Sequence, residues 1–381
     1  MAEAVIVEAV RSPVGKRNGG LSGVHPADLS AQVLNALVER AGVDPEIVDD
    51  VIWGCVMQAG EQSMDIARTS LLAAGWPESV PGVTVDRQCG SSQQSIHFAA
   101  AGVVAGHYDA VVAGGVESMS RVTMGASLAA GGNPFPKGFM DRYGVHPNQG
   151  IGAEMIAEQW GLDRTTLDEF SLGSHEKAAT AQDSGAFDDQ IVAIKDQDGN
   201  PVLRDEGIRR GTPIEKMAQL KPAFKEDGVI HAGNSSQISD GSAAVLITTD
   251  EKAKSLGLKP IAKIHTAVLA GANPVIMLTA PVPATQKALK KSGLNIGDIG
   301  VFEVNEAFAP VPLAWLHDIG ADEKNLNPNG GAIALGHPLG GSGARIMTTM
   351  LHHMRDKGIR YGLQTMCEGG GQANATIVEL R

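Results

Sequence analysis

Three side chains of this sequence stand where nucleophilic chemistry needs them. Cys89 lies at the join of a strand-like run, Val83-Thr-Val-Asp86, and an alanine-rich helix, within Arg87-Gln-Cys-Gly-Ser-Ser92. A thiol at a helix N-terminus faces unpaired backbone N–H groups and the positive end of the helix dipole, and both favour thiolate. A thiolate is a competent nucleophile, and the small residues Gly90, Ser91 and Ser92 let a substrate carbonyl come close. The same stretch also suits a buried structural cysteine, the commonest fate of a free thiol. His337 stands in Gly336-His-Pro-Leu-Gly-Gly341, and Cys367 ends an apolar run ahead of Glu368-Gly-Gly-Gly371. Glycine-rich loops bring backbone donors close to a ligand. A lone loop histidine is usually a surface residue; a Cys, a His and a second Cys, each beside glycine-rich turns, argue for one shared site.

The elements that must position these groups occur twice. Val33-Leu-Asn-Ala-Leu37 leads through Gly42 and a polar link with Asp44 into the strand pattern Asp50–Gly54; Thr285-Gln-Lys-Ala-Leu289 leads through Gly293 into Val301–Val304. Each reads as a helix closed by a C-terminal glycine and followed by a strand. After Cys89 comes an apolar helix to about Gly106 and the strand Asp109–Gly115; after Gly343 comes an apolar helix to about Met354 and the strand Tyr361–Gly370. This repetition predicts an α/β fold of two homologous halves about a pseudo-two-fold axis, with mixed sheets covered by helices. Neither apolar helix has a clear polar face, so both are expected between sheet layers. The halves are placed at 1–117 and 239–381, with an inserted loop or lid domain at 118–238. Residues 123–150 are rich in Gly, Pro, Asn and Met without periodicity, too long for an ordinary connector. Ile151 to Ala181 reads as helices, with Asp163 as an N-cap.

Composition excludes several classes. A chain of 381 residues, 43% hydrophobic, can bury one large core or a few smaller ones. It has no apolar run of about 18 residues that would span a membrane. No basic leader pattern precedes the first strand-like run, so a cytoplasmic location is expected. Three widely spaced cysteines argue for a reducing compartment rather than a disulfide framework. No Cys or His pair has metal-ligand spacing; the adjacent His352 and His353 read as solvated. A net charge of −12 and 4% aromatics argue against nucleic acid as a partner. Cationic groups concentrate only at Arg204, Arg209, Arg210, Lys216, Lys221 and Lys225, a stretch that taken by charge alone is a solvated face. The spacing of Gly340-Gly-Ser-Gly343 does not match a dinucleotide fingerprint, and Cys55 is given no role.

With Arg87-Gln-Cys-Gly-Ser91, Asn305-Glu-Ala-Phe308, Gly336-His-Pro-Leu-Gly340 and Cys367-Glu-Gly-Gly-Gly371 in this order, the chain resembles the thiolase family over its whole length. The resemblance implies a five-layered α-β-α-β-α fold with an inserted loop domain. It implies homodimers or homotetramers, acyl-CoA substrates with coenzyme A as co-substrate, no metal or redox cofactor, and, for several degradative members, a hydratase/dehydrogenase partner. Carried over by position, Cys89 is the nucleophile that becomes acylated and His337 its base and an oxyanion donor. Cys367 is the acid/base at the α-carbon of the acetyl leaving group. Asn305 would hold a water that, with His337, binds the enolate oxygen, while the N–H groups of Cys89 and Gly369 form a second oxyanion hole. Ala232–Gly241 resembles the pantetheine-binding loop, with Ser236 at its serine and Arg209 toward the nucleotide end. Ala307 and Phe308 would line the pantetheine channel.

Two departures bear on substrate. Short-chain acetoacetyl-specific members carry a His-Met pair at the tip of the insert, where this chain has Asn148 and Gln149. The loop Ser235-Ser-Gln-Ile-Ser-Asp240 is also closer to the degradative than to the biosynthetic form. The resemblance therefore implies a degradative 3-ketoacyl-CoA thiolase taking medium, long or bulky, even sterol-derived, acyl groups. A biosynthetic acetyl-CoA acetyltransferase shares all four motifs and is the nearest rival. A decarboxylating condensing enzyme would use one Cys and two His, and a non-catalytic acyl-CoA carrier would need none of the set.

Overall fold

The computed structural model describes residues 2–129 and 131–381. The first half carries β1 (Ala4–Arg11), β2 (Gly15–Lys16), α1 (Pro26–Ala41), β3 (Asp50–Gly54), α2 (Ile66–Ala73), β4 (Gly82–Val85), α3 (Ser91–Val104) and β5 (Ala110–Ser118). An irregular stretch then holds α4 (Lys137–Tyr143), α5 (Gln149–Gln159), α6 (Arg164–Asp183), the small pair β6 (Ile194–Lys195) and β7 (Pro201–Val202), and α7 (Ile214–Ala218). The remainder runs β8 (Ser239–Thr249), α8 (Asp250–Ser255), β9 (Ala262–Gly271), α9 (Pro281–Ser292), β10 (Val301–Val304) and α10 (Pro310–Ile319). It closes with α11 (Ala332–Leu335), α12 (Ser342–Lys357), β11 (Tyr361–Glu368) and β12 (Gln372–Leu380).

The strands form one path, β10-β11-β12-β9-β1-β8-β5-β3-β4, within a 10-stranded sheet. The path divides at β1 and β9, which pair antiparallel only through Val5↔Lys263 and Ile6↔Ala262. On one side β3 is parallel to β4 and β5; on the other β10 is parallel to β11, the same relation repeated. Ser239–Thr249, which the sequence reading places at the head of the second half, pairs in full with β5 and along β1. The first sheet therefore recruits a strand from beyond the insert, a long-range pairing that no local pattern signals.

Helices α3 and α12 lie between the two half-sheets. Their Ile96, Ala99, Met347 and Met350 share a buried cluster with Ile6, Ile52 and Val245 of one sheet and Val301 and Val378 of the other. Helices α1 and α2 cover the outer face of the first sheet, and α9 and α10 that of the second. The result is five layers, α-β-α-β-α. The helix ends follow sequence rules: Gly42 and Gly293 close α1 and α9 in left-handed conformation, φ 68° and 76°. Asp163 caps α6 by accepting from the Thr166 N–H at 2.8 Å. His352 is buried against β1 rather than solvated, its Nε2 lying 3.4 Å from the Ala9 carbonyl, because the α12 face that carries it is inside the sandwich.

Close packing of the two halves is permitted by glycine at one place above all. A Cβ on Gly340 would lie 2.5 Å from the Val116 carbonyl and 2.7 Å from Cys55 Cα. One on Gly343 would lie 2.2 Å from the Gln93 nitrogen. The turn that carries His337 is thereby pressed onto the strand ends of the opposite half.

Candidate active site

Cys89 follows β4 and precedes α3, and the residue before it, Gln88, has φ 48°. That left-handed residue sharpens the turn and lifts the thiol off the strand line toward the start of the helix. Cys89 is buried, and burial pushes its thiol up to about 12, with the Glu368 charge acting in the same direction. Its own N–H and that of Gly369 favour the thiolate and pull the other way. The helix terminus alone therefore does not yield the resting thiolate that the sequence position suggests, because desolvation outweighs it. A base must take the proton.

His337 lines the same cavity as Cys89. The Ser342 hydroxyl donates to the Pro338 carbonyl at 2.9 Å, so its oxygen accepts from His337 Nδ1–H at 2.6 Å. This assigns the ring proton to Nδ1 and leaves Nε2 as the acceptor nitrogen of the ring. Asn305 Nδ2 lies 3.4 Å from that Nε2. Burial holds the imidazole down at about 3, with Arg345 adding to the effect, so the ring is neutral and able to accept. The His337 N–H is itself held by Ser239 Oγ at 3.1 Å. Cys367 sits at the end of β11, fully buried, and burial together with the charge of Cys89 raises its thiol well above its usual range. It is a neutral acid at rest.

Cys89, His337 and Gly369 line one wall of a cavity of ≈ 1120 Å³. Ser236, Ala307 and Phe308 line it too, and they are joined to each other: the Ser236 N–H donates to the Ala307 carbonyl at 2.9 Å, and Ser235 bridges Phe308. Phe224 packs edge-on against Phe308, ring centroids 5.9 Å apart. Asp168 anchors this loop from α6, accepting from Arg164 Nε at 2.9 Å, His231 Nε2 at 2.7 Å and Asn234 Nδ2 at 3.1 Å. Asn148 and Gln149 border the cavity, but Asn148 Oδ1 is engaged in capping α5 by accepting from the Ile151 N–H at 3.1 Å. Asn305 and Cys367 stand behind the wall rather than in it. Arg209 and Ala232 are exposed and outside the lining, and the Arg209 N–H donates to His175 Nδ1 at 3.1 Å. The other cations of that stretch are exposed as well, Arg210 being paired with Asp183.

Two buried carboxylates that sequence reasoning missed tie the loops together. Glu117, at the end of β5, accepts from the N–H groups of Val56, Met57 and Gly340 at 3.0, 3.1 and 2.8 Å, and from Gln62 Nε2. Cys55, otherwise without a role, packs beside it. Glu306 accepts from Ser174 Oγ, Asn327 Nδ2 and the Ile333 N–H. The signal for Glu117 was a lone acid at the end of an apolar strand run, a costly position unless backbone donors meet it. Among the described residues no group of three His, Cys, Asp or Glu side chains is arranged to hold a metal ion. No helix described is long and apolar enough to cross a membrane.

The arrangement can run covalent acyl transfer: a buried thiol with two N–H groups at its sulfur, a neutral imidazole of fixed tautomer, an amide and a second thiol. Comparison with known proteins agrees. Residues 4–251 match the family model for the thiolase N-terminal domain and residues 258–380 that for the thiolase C-terminal domain. A steroid 3-ketoacyl-CoA thiolase of Mycobacterium tuberculosis is 51% identical, over 100% of this chain and 94% of that protein. A 3-ketoacyl-CoA thiolase of Shigella boydii is 45% identical, with both chains covered at 100%. The crystal structure of the Bacillus anthracis acetyl-CoA acetyltransferase superposes with a TM-score of 0.92 at 39% identity, covering 100% of this chain and 99% of that one. A match over both halves, carried by motifs that the fold draws to one cavity, makes this chain a member of the thiolase family, an acyltransferase.

Proposed function

We propose that the chain cleaves 3-ketoacyl-CoA with coenzyme A to give acetyl-CoA and a shortened acyl-CoA, with bulky acyl groups as its substrates. The observation that carries this reading is the apolar lining of the cavity. The cavity of ≈ 1120 Å³ takes in the Ser236, Ala307 and Phe308 channel as well as an apolar lining of Met57, Met119, Met124, Leu128, Phe135 and Phe139. Such a wall takes alicyclic or long aliphatic groups by burial of apolar surface. The steroid 3-ketoacyl-CoA thiolase of Mycobacterium tuberculosis supports the same direction.

In the proposed reaction His337 Nε2 takes the Cys89 proton as the sulfur attacks the 3-keto carbon. The N–H groups of Cys89 and Gly369 meet the alkoxide. The bond between C2 and C3 then breaks, leaving acyl-Cys89 and the acetyl-CoA enolate, whose oxygen is met by His337 and by the group that Asn305 holds. Cys367 gives C2 its proton. In the second half, a fresh coenzyme A thiol passes its proton to Cys367, attacks the acyl carbon, and Cys89 leaves and recovers the proton from His337. Preorganised donors of this kind typically contribute ~10²–10³ in rate each. Ser236, Ala307 and Phe308 would hold pantetheine, with Arg209 and Ala232 beyond the rim toward the nucleotide. We further propose a cytoplasmic homo-oligomer; the exposed Met64, Val83, Phe98 and Val104 around β4 and α3 support a face covered by another copy.

The test is thiolysis of a 3-ketoacyl-CoA series, from acetoacetyl-CoA to long-chain and ring-bearing groups, with wild type and Cys89→Ala. Rates rising with acyl size, with an acyl adduct on the Cys89 peptide that the variant lacks, are expected. Turnover confined to acetoacetyl-CoA would instead favour an acetyl-CoA acetyltransferase, like the Bacillus anthracis neighbour.

A further inference from the structure

Glu368 lies between the two residues of its strand end that meet Cys89. Before it, Cys367 has its ionisation opposed by the charge of Cys89; after it, the Gly369 N–H favours the Cys89 thiolate. The Glu368 side chain is fully buried. Its Oε1 accepts from the Asn374 N–H at 3.0 Å, while Oε2 has no hydrogen-bond partner. A Cβ on Gly90 would fall 2.0 Å from that Oε1, so the carboxyl is pressed against the turn that carries the thiol. Arg87, on the same turn, faces it but spends its hydrogen bond on Gln372 Oε1 at 2.8 Å. From α3, His97 stays neutral and is joined to Asn374 Nδ2 at 3.3 Å. A carboxylate with one oxygen unmet in a dry site is costly, and so is a thiolate beside it.

We propose that Glu368 is a positioning residue for the charge of the reaction centre: its carboxyl and the Cys89 thiol compete for a single negative charge, so Cys89 ionises readily only while Glu368 keeps its proton. Burial, partly offset by Arg87, pushes the Glu368 carboxyl up to about 8, and Glu368 is the largest charge acting on Cys89. At neutral pH the acid is protonated, and the one negative charge of the reaction passes between Cys89, the enolate oxygen and Cys367 without a fourth site claiming it. Above pH 8 the carboxylate forms and pushes the thiol titration further up. Interacting groups of this kind titrate as a set, separated by about one pH unit or more.

The inference rests on Cys89 being the nucleophile of the proposed reaction, yet its test reads the thiol without turnover, so the two stand or fall separately. Iodoacetamide alkylation of the Cys89 peptide is followed by mass spectrometry from pH 6.5 to 9.5 in wild type and Glu368→Gln. The amide keeps an acceptor for the Asn374 N–H and removes the charge. The ratio of variant to wild-type rate is expected to climb about tenfold across that range, with the rise beginning near pH 8. A ratio constant with pH, whatever its value, overturns the proposal, since a purely structural role would change reactivity equally at every pH. Should the glutamine variant not fold, Glu368→Met, of similar volume and without charge, is read by the same ratio.

Discussion

At the scale of single residues, the site depends on which nitrogen of His337 carries the proton, and Ser342 decides that. Its hydroxyl is oriented by the Pro338 carbonyl and so accepts from Nδ1–H, which leaves Nε2 for the thiol. Ser342→Ala is expected to lower kcat/KM by about 10–100-fold, because the imidazole loses its fixed tautomer and orientation. Acyl-CoA affinity should stay near wild type, since Ser342 does not line the cavity; a change confined to KM would refute the assignment. Asn148 separates two roles in the same way. Its side chain caps α5, so Asn148→Ala should cost about 1 kcal/mol in stability by chemical denaturation. If instead the variant keeps its stability and its acyl-chain preference shifts, Asn148 acts on substrate directly.

At the scale of elements, three turns from different parts of the chain meet because buried carboxylates collect their backbone donors. Glu117 holds the turn after β3 and the turn before α12 in one grip. Glu117→Ala would strand three backbone N–H groups, each costing about 1–3 kcal/mol when left unmet. A fall in stability of more than about 3 kcal/mol is expected, with loss of activity in whatever fraction still folds. A loss below 1 kcal/mol would mean that the turns hold their places without it. The helices themselves were legible from local rules: Asp163 and the glycines after α1 and α9 end or begin helices for reasons that need only neighbouring residues. The membership of β8 was not, because pairing with β1 joins residues more than 200 positions apart.

At the scale of the molecule, the sandwich buries titratable groups of both kinds, and they set opposite limits on stability. Glu303 and Glu368 are pushed up to about 8 by burial, from an ordinary value of 4.5. The native state therefore binds more protons than the unfolded chain between those values. Their contribution is whole below pH 4.5 and is lost as pH rises toward 8. Glu117, Glu306 and Asp240 are shifted in the same direction. His97, His175, His337 and His352 are pushed down to about 3 or 4, so the unfolded chain binds the extra protons and their contribution is lost as pH falls below 6.5. Stability is expected to peak near pH 6.5 and to decline toward pH 8, by up to about 1.4 kcal/mol per pH unit for each such carboxyl. Urea unfolding at pH 6.5 and 8 measures this, and Glu303→Gln should flatten the decline; stability that rises over the interval would contradict it.

What the amino-acid order determined by itself was the list of chemical groups and the duplicated elements that present them. Cys89, His337 and Cys367 are legible because they sit in short glycine-rich motifs at strand ends, Asn305 through the family resemblance, and helix caps and strand patterns because they are local in origin. Only the tertiary structure decided the state of those groups. The helix N-terminus invites a thiolate at Cys89, but the sandwich buries it and desolvation outweighs the helix end, so the thiol rests protonated. Desolvation, tautomer and the choice of pairing strand all depend on what the rest of the chain brings alongside, and that is a property of packing over long sequence separations.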